Sequence, residues 1–213
     1  MSKIERRLFL HGLTAGAAGG LASWVHHALA ADPGVFDQGL RRTKGAVAVN
    51  GTPVSEGTVL RRGDVVTTGA GAHAVYVLGD NAFLQRENSR VDFGESSVAT
   101  FLRVVTGGLL AVFGKGERQL ATTVATIGIR GTGCYIETDE RKTYFCLCFG
   151  SVELTPLNGS PSSYSTTHHE KPLWIEEGGT MPATVVNHTD AEVIMLEALV
   201  GRDSPFPRGG SNY

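Results

Sequence analysis

Lysine is scarce in this chain, with five among 213 residues, and positive charge never gathers into a stripe. The 19 basic residues are outnumbered by 21 acidic ones, for a formal net charge of −2. The electrostatic footprint of a nucleic-acid binder is therefore missing, and no nucleic-acid partner is expected. Charged residues as a whole reach only 19%, below the usual ~25%. Hydrophobic residues nevertheless make up 41%, whereas a disordered chain would be poorer in apolar residues and richer in net charge. Past the first thirty residues no apolar run approaches the ~18 residues of a membrane-spanning helix. Catalytic signatures are missing too. The sequence has no G-x-S-x-G elbow, no phosphate-binding P-loop and no H-E-x-x-H pair, and no two carboxylates stand out as an acid/base couple. The glycines at 128, 131 and 133 have the wrong spacing for a dinucleotide fingerprint. The expectation is a protein that is not an enzyme.

Glycine is what the chain has in excess. Its 28 glycines are about 13% of the residues, close to double the ~7% of an average protein. They follow no three-residue period, which excludes a collagen-like helix. With 21 Val and 20 Thr beside them, they describe short strands joined by tight turns. The fold class expected is all-β: a compact sandwich or roll of many short antiparallel strands, with a short solenoid-like roll as the alternative.

Residues 1–30 read as an address. Arg6-Arg7 is followed by Leu8-Phe9-Leu10, a stretch rich in Gly and Ala, and Ala28-Leu29-Ala30. A charged start, a mildly apolar middle and an A-x-A site form a secretory signal. The adjacent arginines resemble a twin-arginine export signal, while Gly12, Gly16, Gly19 and Gly20 keep the middle weakly hydrophobic. Cleavage is expected after Ala30, with retention as an N-terminal anchor as the alternative. The mature chain would be a periplasmic protein without a membrane span.

Beyond a polar lead-in at 31–44, strand and turn signals alternate. Residues 46–49 run into Asn50-Gly51, a hairpin signal. Strand-like segments follow at 65–68, 74–78, 82–85, 91–93, 102–106, 109–113 and 122–129. A hairpin joins 134–138 to 143–149. Residues 156–172 read as a long loop, strand-like stretches resume at 173–175, 183–186 and 192–199, and 201–213 read as a disordered tail.

Laid out in order, these pieces resemble the FecR domain family. The stretch at 45–51, the turn at Gly63-Asp64 leading to Gly69, the strand ending at Leu78-Gly79-Asp80, the Gly107-Gly108-Leu109 strand and the Arg130-Gly131-Thr132 turn match its motifs. The resemblance covers about 45–155 within a domain expected to span 45–200. It implies an extracytoplasmic, non-catalytic sensor or scaffold acting through protein or ligand contacts, with Gly63, Asp64, Arg130, Gly131 and Thr132 as turn residues. Arg130 is expected to pair with a carboxylate inside the roll. Only five residues precede the twin arginines, too few for the cytoplasmic anti-sigma region of the family's signalling members. Exposed strand edges would allow dimerisation or strand addition by a partner.

The remaining chemistry lies in Cys134, Cys146, Cys148, His168 and His169. Cys146 and Cys148 are two apart on one strand and share a face. An even-numbered turn at 139–142 would set Cys134 opposite Leu147, on the other face, whereas an odd turn or a bulge would bring it beside them. Three sulfurs and a histidine would suit zinc or another soft metal, and a metal-binding or thiol-redox protein is the alternative reading of function. Plain packing of small thiols and a disulfide after export are the other readings. His188 reads as a turn residue.

Overall fold

The computed structural model describes residues 38–95 and 100–207. The leader with Arg6-Arg7 and the last six residues of the expected tail lie outside them. The described residues form fourteen strands and one helix: β1 Gly39–Lys44, β2 Val47–Val49, β3 Thr52–Pro53, β4 Val65–Thr68, β5 His73–Leu78, β6 Asn81–Gln85, β7 Arg90–Phe93, β8 Thr100–Val112, β9 Glu117–Ala121, β10 Ala125–Thr138, β11 Thr143–Pro156, β12 Ser162–Thr166, β13 Leu173–Glu176, β14 Gly179–Pro182 and α1 Asp190–Leu199. The all-β expectation holds. All strands join one sheet that does not close into a barrel, and every pairing is antiparallel except β8 with β9.

The frame is the hairpin of β10 and β11, two strands of 14 residues each. Its turn is set by Asp139, whose carboxylate accepts the backbone N–H groups of Arg141 and Lys142 at 2.8 and 2.9 Å. Those two bonds hold the carboxyl of Asp139 below the ordinary aspartate range. The four-residue turn aligns Thr138 with Thr143 and hence Cys134 with Leu147. β8 crosses from one half of the sheet to the other. Its first half pairs with β7 and its second with β6 and β10. The switch falls at Gly107, where φ is +76° and an added Cβ would sit 2.1 Å from Ser89 Oγ, so no other residue fits there.

Alternation along β5, β6, β8, β10 and β11 divides their side chains between two apolar layers. The inner layer holds Tyr76, Phe83, Leu109, Ala111, Cys134, Ile136, Phe145 and Leu147. The outer holds Val75, Leu84, Leu110, Val112, Tyr135, Tyr144, Cys146 and Cys148, and it is covered by α1. Burial on both faces explains the unbroken apolar run from Tyr144 to Phe149.

Several segments differ from their sequence-based expectation. Half of the lead-in is strand β1, paired with β5. β12 lies within the expected 156–172 loop and pairs with β11. The stretch expected as a strand at 192–199 is helix α1. Thr189 caps it, accepting from the backbone N–H of Glu192, and the Glu192 side chain accepts from Thr189 N–H in return, the reciprocal capping box. Val193, Leu196 and Val200 then recur at helical spacing and are buried. Residues 201–207 of the expected tail pack on the domain, with Phe206 at 5% exposure. Arg130 is exposed on the sheet surface rather than paired inside the roll.

Candidate functional site

The site forms where the outer face of β11 meets the segments that follow it. Cys146 and Cys148 point outward together, as their two-residue spacing requires, and both are fully buried. The strand then gives way, past β12, to a loop that places His169 beside Cys146, with Sγ to Nδ1 at 3.5 Å. His169 has φ +51°, a left-handed conformation that a residue with a Cβ adopts at a cost. Its own N–H donates to Cys148 O at 3.0 Å and holds it there. His188 arrives from the other side, immediately before the Thr189 cap. Its Nε2 lies 3.0 Å from His169 Nδ1, and its ring stacks on Tyr135 with centroids 4.9 Å apart.

The four ligand atoms of Cys146, Cys148, His169 and His188 all lie within 4.8 Å of one another, and all four residues are buried. Of the five residues expected as ligands, the structure thus gathers Cys146, Cys148 and His169. Cys134 stands apart: the even turn puts it on the inner face with Ile136 and Leu147. His168 also stands apart. Its Nε2 donates to Asp190 at 3.0–3.1 Å, and its side chain is 41% exposed. His188 is the residue that sequence reading missed. The available signal was its place directly before a capping box, which fixes it at the end of a helix rather than in a free turn. All three cysteines are free thiols.

The electrostatics divide the two thiols. Cys146 is held well below the ordinary thiol range by hydrogen bonding from Cys148 and then from the His169 and His188 rings, against the opposing effect of burial. Burial pushes Cys148, and likewise Cys134, upward. Next to this cluster sits a second polar knot. Arg86 forks onto Glu192 with two bonds of 2.9 Å and stacks over Tyr135, and Asp190 accepts from both His168 and His169.

The turn residues of the sequence reading lie elsewhere. Asp64 closes the loop after Gly63 (φ +86°) by accepting from Asn50 Nδ2 at 2.8 Å and from Arg61 N–H at 2.7 Å. Gly131 (φ +57°) sits in the register shift of β10, beside buried Thr132. These features are architectural, and all but Gly63 fall in the part of the chain that matches a known family.

Residues 64–153 match the family model for FecR protein. This segment is a FecR domain. The match opens at Asp64, after the expected first motif at 45–51, although β2 of that motif pairs with β4 in the same sheet. Two solved structures of a candidate anti-sigma factor from Parabacteroides distasonis, at 1.65 and 2.50 Å, are similar to the chain. Each aligns at 11% identity and a TM-score of 0.47, covering 56% of this chain and 59% of that one. The chain thus spans less than two thirds of their length. No curated protein matches the sequence. The matched segment supplies most of β11 and both cysteines of the cluster, whereas both histidines come from the segments after it.

Proposed function

We propose that the chain is an exported FecR-type regulatory module, a sensor or scaffold in the periplasm that acts by binding a protein partner and catalyses no reaction. The observation that carries this reading is the FecR match over 64–153. Three features support it. The sequence opens with Arg6-Arg7, Leu8-Phe9-Leu10 and Ala28-Leu29-Ala30, which resemble a twin-arginine leader. No helix among the described residues is long and apolar enough to cross a membrane. The reactive side chains Cys146, Cys148, His169 and His188 are all buried. The functional unit extends past the FecR match to about residue 200, because α1 covers the outer layer of that domain.

The mode of contact follows from the sheet ends. The path of the sheet terminates at β3 and β14, and each carries a proline, Pro53 and Pro182. Proline on an edge strand blocks further ladder formation. Strand addition at these two ends is therefore disfavoured, which leaves β1 and β12, each paired with a single neighbour, as the other edges.

The test is export and crosslinking of the full chain in its native host. The wild type is expected in the periplasmic fraction, shortened by thirty residues and crosslinked to a defined protein, and replacement of Arg6-Arg7 by Lys-Lys is expected to retain it in the cytoplasm. Wild-type chain that stays cytoplasmic, or that crosslinks to nothing in the periplasm, would overturn the proposal.

A further inference from the structure

The cluster of Cys146, Cys148, His169 and His188 directs several lone pairs at one place. His188 Nδ1 lies 2.7 Å from Val186 O, and a carbonyl only accepts, so Nδ1 carries the hydrogen. His169 Nε2 lies 3.2 Å from an Asp190 carboxylate oxygen and likewise carries the hydrogen. In the neutral rings the nitrogens left without hydrogen are His188 Nε2 and His169 Nδ1. Those two face each other at 3.0 Å, with the Cys146 sulfur 3.5 Å from the second of them. Lone pairs directed at one point from several sides repel unless a shared proton or a metal cation lies between them.

We propose that this cluster is a closed tetrahedral Zn²⁺ site, with Cys146 Sγ, Cys148 Sγ, His169 Nδ1 and His188 Nε2 as its four ligands. Zn–S bonds of about 2.3 Å and Zn–N bonds of about 2.1 Å put neighbouring ligand atoms of a regular tetrahedron about 3.4–3.8 Å apart. The Cys146–His169 separation of 3.5 Å already fits, and drawing four atoms from within 4.8 Å onto one ion needs only small side-chain rotations. The outer contacts are those that zinc ligands use. Each ligating imidazole donates its other N–H, His169 to the Asp190 carboxylate and His188 to a backbone carbonyl, which fixes the tautomer and raises ligand basicity. Two thiolates neutralise the ion, so the filled site adds no net charge to a buried region. Binding releases the Cys148 proton, and the Cys146 proton wherever that thiol is protonated.

Four protein ligands leave no position for water or substrate, which marks the site as structural. Its ligands come from three places: β11, the loop after β12, and the residue before the α1 cap. The ion therefore latches the C-terminal segments onto the outer face of the FecR domain. Zinc binding does not depend on the regulatory role, since a chain with no partner would still hold the ion.

The test is metal analysis of the purified full chain, expressed with zinc and kept reduced. About one Zn per chain is expected. Cobalt exchange should give the intense visible bands of tetrahedral Co²⁺ and thiolate-to-cobalt charge transfer, and chelation should lower the melting temperature. His188→Ala and Cys146→Ser should lose the metal, while His168→Ala and Cys134→Ala keep it. Asp190→Asn retains all four ligands and should fold, with zinc affinity weakened about 10–100-fold. Wild-type protein with less than a tenth of an equivalent of zinc and no cobalt bands would overturn the site. Equal metal loss from Cys134→Ala and Cys146→Ser in folded protein would overturn the ligand assignment.

Discussion

The two faces of the sheet are built on opposite principles. The inner face is filled by aromatic rings. Phe83 meets Tyr76, Phe93 and Phe113 with centroids 5.2–5.8 Å apart, and Phe101 extends the group through Phe93 and Phe113. Its polar atoms are few. Tyr76 donates to Gln85, whose amide donates to Val66 O and Ser89 O at 3.0 Å. The outer face buries Asp190, Glu192, Glu197, His169 and His188 under and around α1. Apolar packing tolerates small misfits, whereas a buried charge loses several kcal/mol if one partner goes missing. The inner face thus supplies stability by area, and the outer one supplies a defined position for a C-terminal segment through a few directional contacts.

Three substitutions sharpen or break that contrast. The largest effect is expected from Phe83→Ala, which empties the centre of the aromatic group. Unfolding in denaturant should show a loss of about 3–5 kcal/mol, equal with and without a metal chelator; a loss that shrinks on chelation would mean that the two faces do not act separately. Arg86→Ala comes next, at about 3 kcal/mol, because it leaves Glu192 buried at 4% side-chain exposure without its ion-pair partner. Amide hydrogen exchange should accelerate in α1 while β10 stays protected. Equal acceleration in β10 would make the faces one cooperative unit. Thr189→Ala removes one half of the capping box. It should cost about 1 kcal/mol, read as a small shift in the denaturant midpoint confined to the same helix, and an unchanged midpoint would show that α1 is held by its tertiary contacts alone.

The contrast also explains what could be read in advance. Strand positions, the hairpin at 139–142 and the FecR motifs were legible because they depend on local chemistry: glycine at positive φ, alternation of period two, and an Asp that closes its own turn. The shared face of Cys146 and Cys148 followed from the same arithmetic, whereas the face of Cys134 waited on the register of the hairpin. Helix α1 was misread as a strand because its apolar content outweighed the signal of Thr189 and Glu192, whose meaning lies in their three-residue spacing. His188 was passed over because a lone histidine between Asn187 and Thr189 carries no mark of burial. What buries it is Tyr135 on β10, more than fifty residues earlier in the chain, and no local pattern links the two.

By itself the sequence determined an all-β domain with FecR motifs and a pair of thiols on one face of one strand, because each depends on neighbours within a few residues. Only the tertiary structure decided that Cys134 faces away, that His188 replaces His168 beside the two sulfurs, and that Asp190 stands behind His169. Those outcomes depend on where a loop and a helix return to the sheet, and that return is set by packing between residues far apart in the chain.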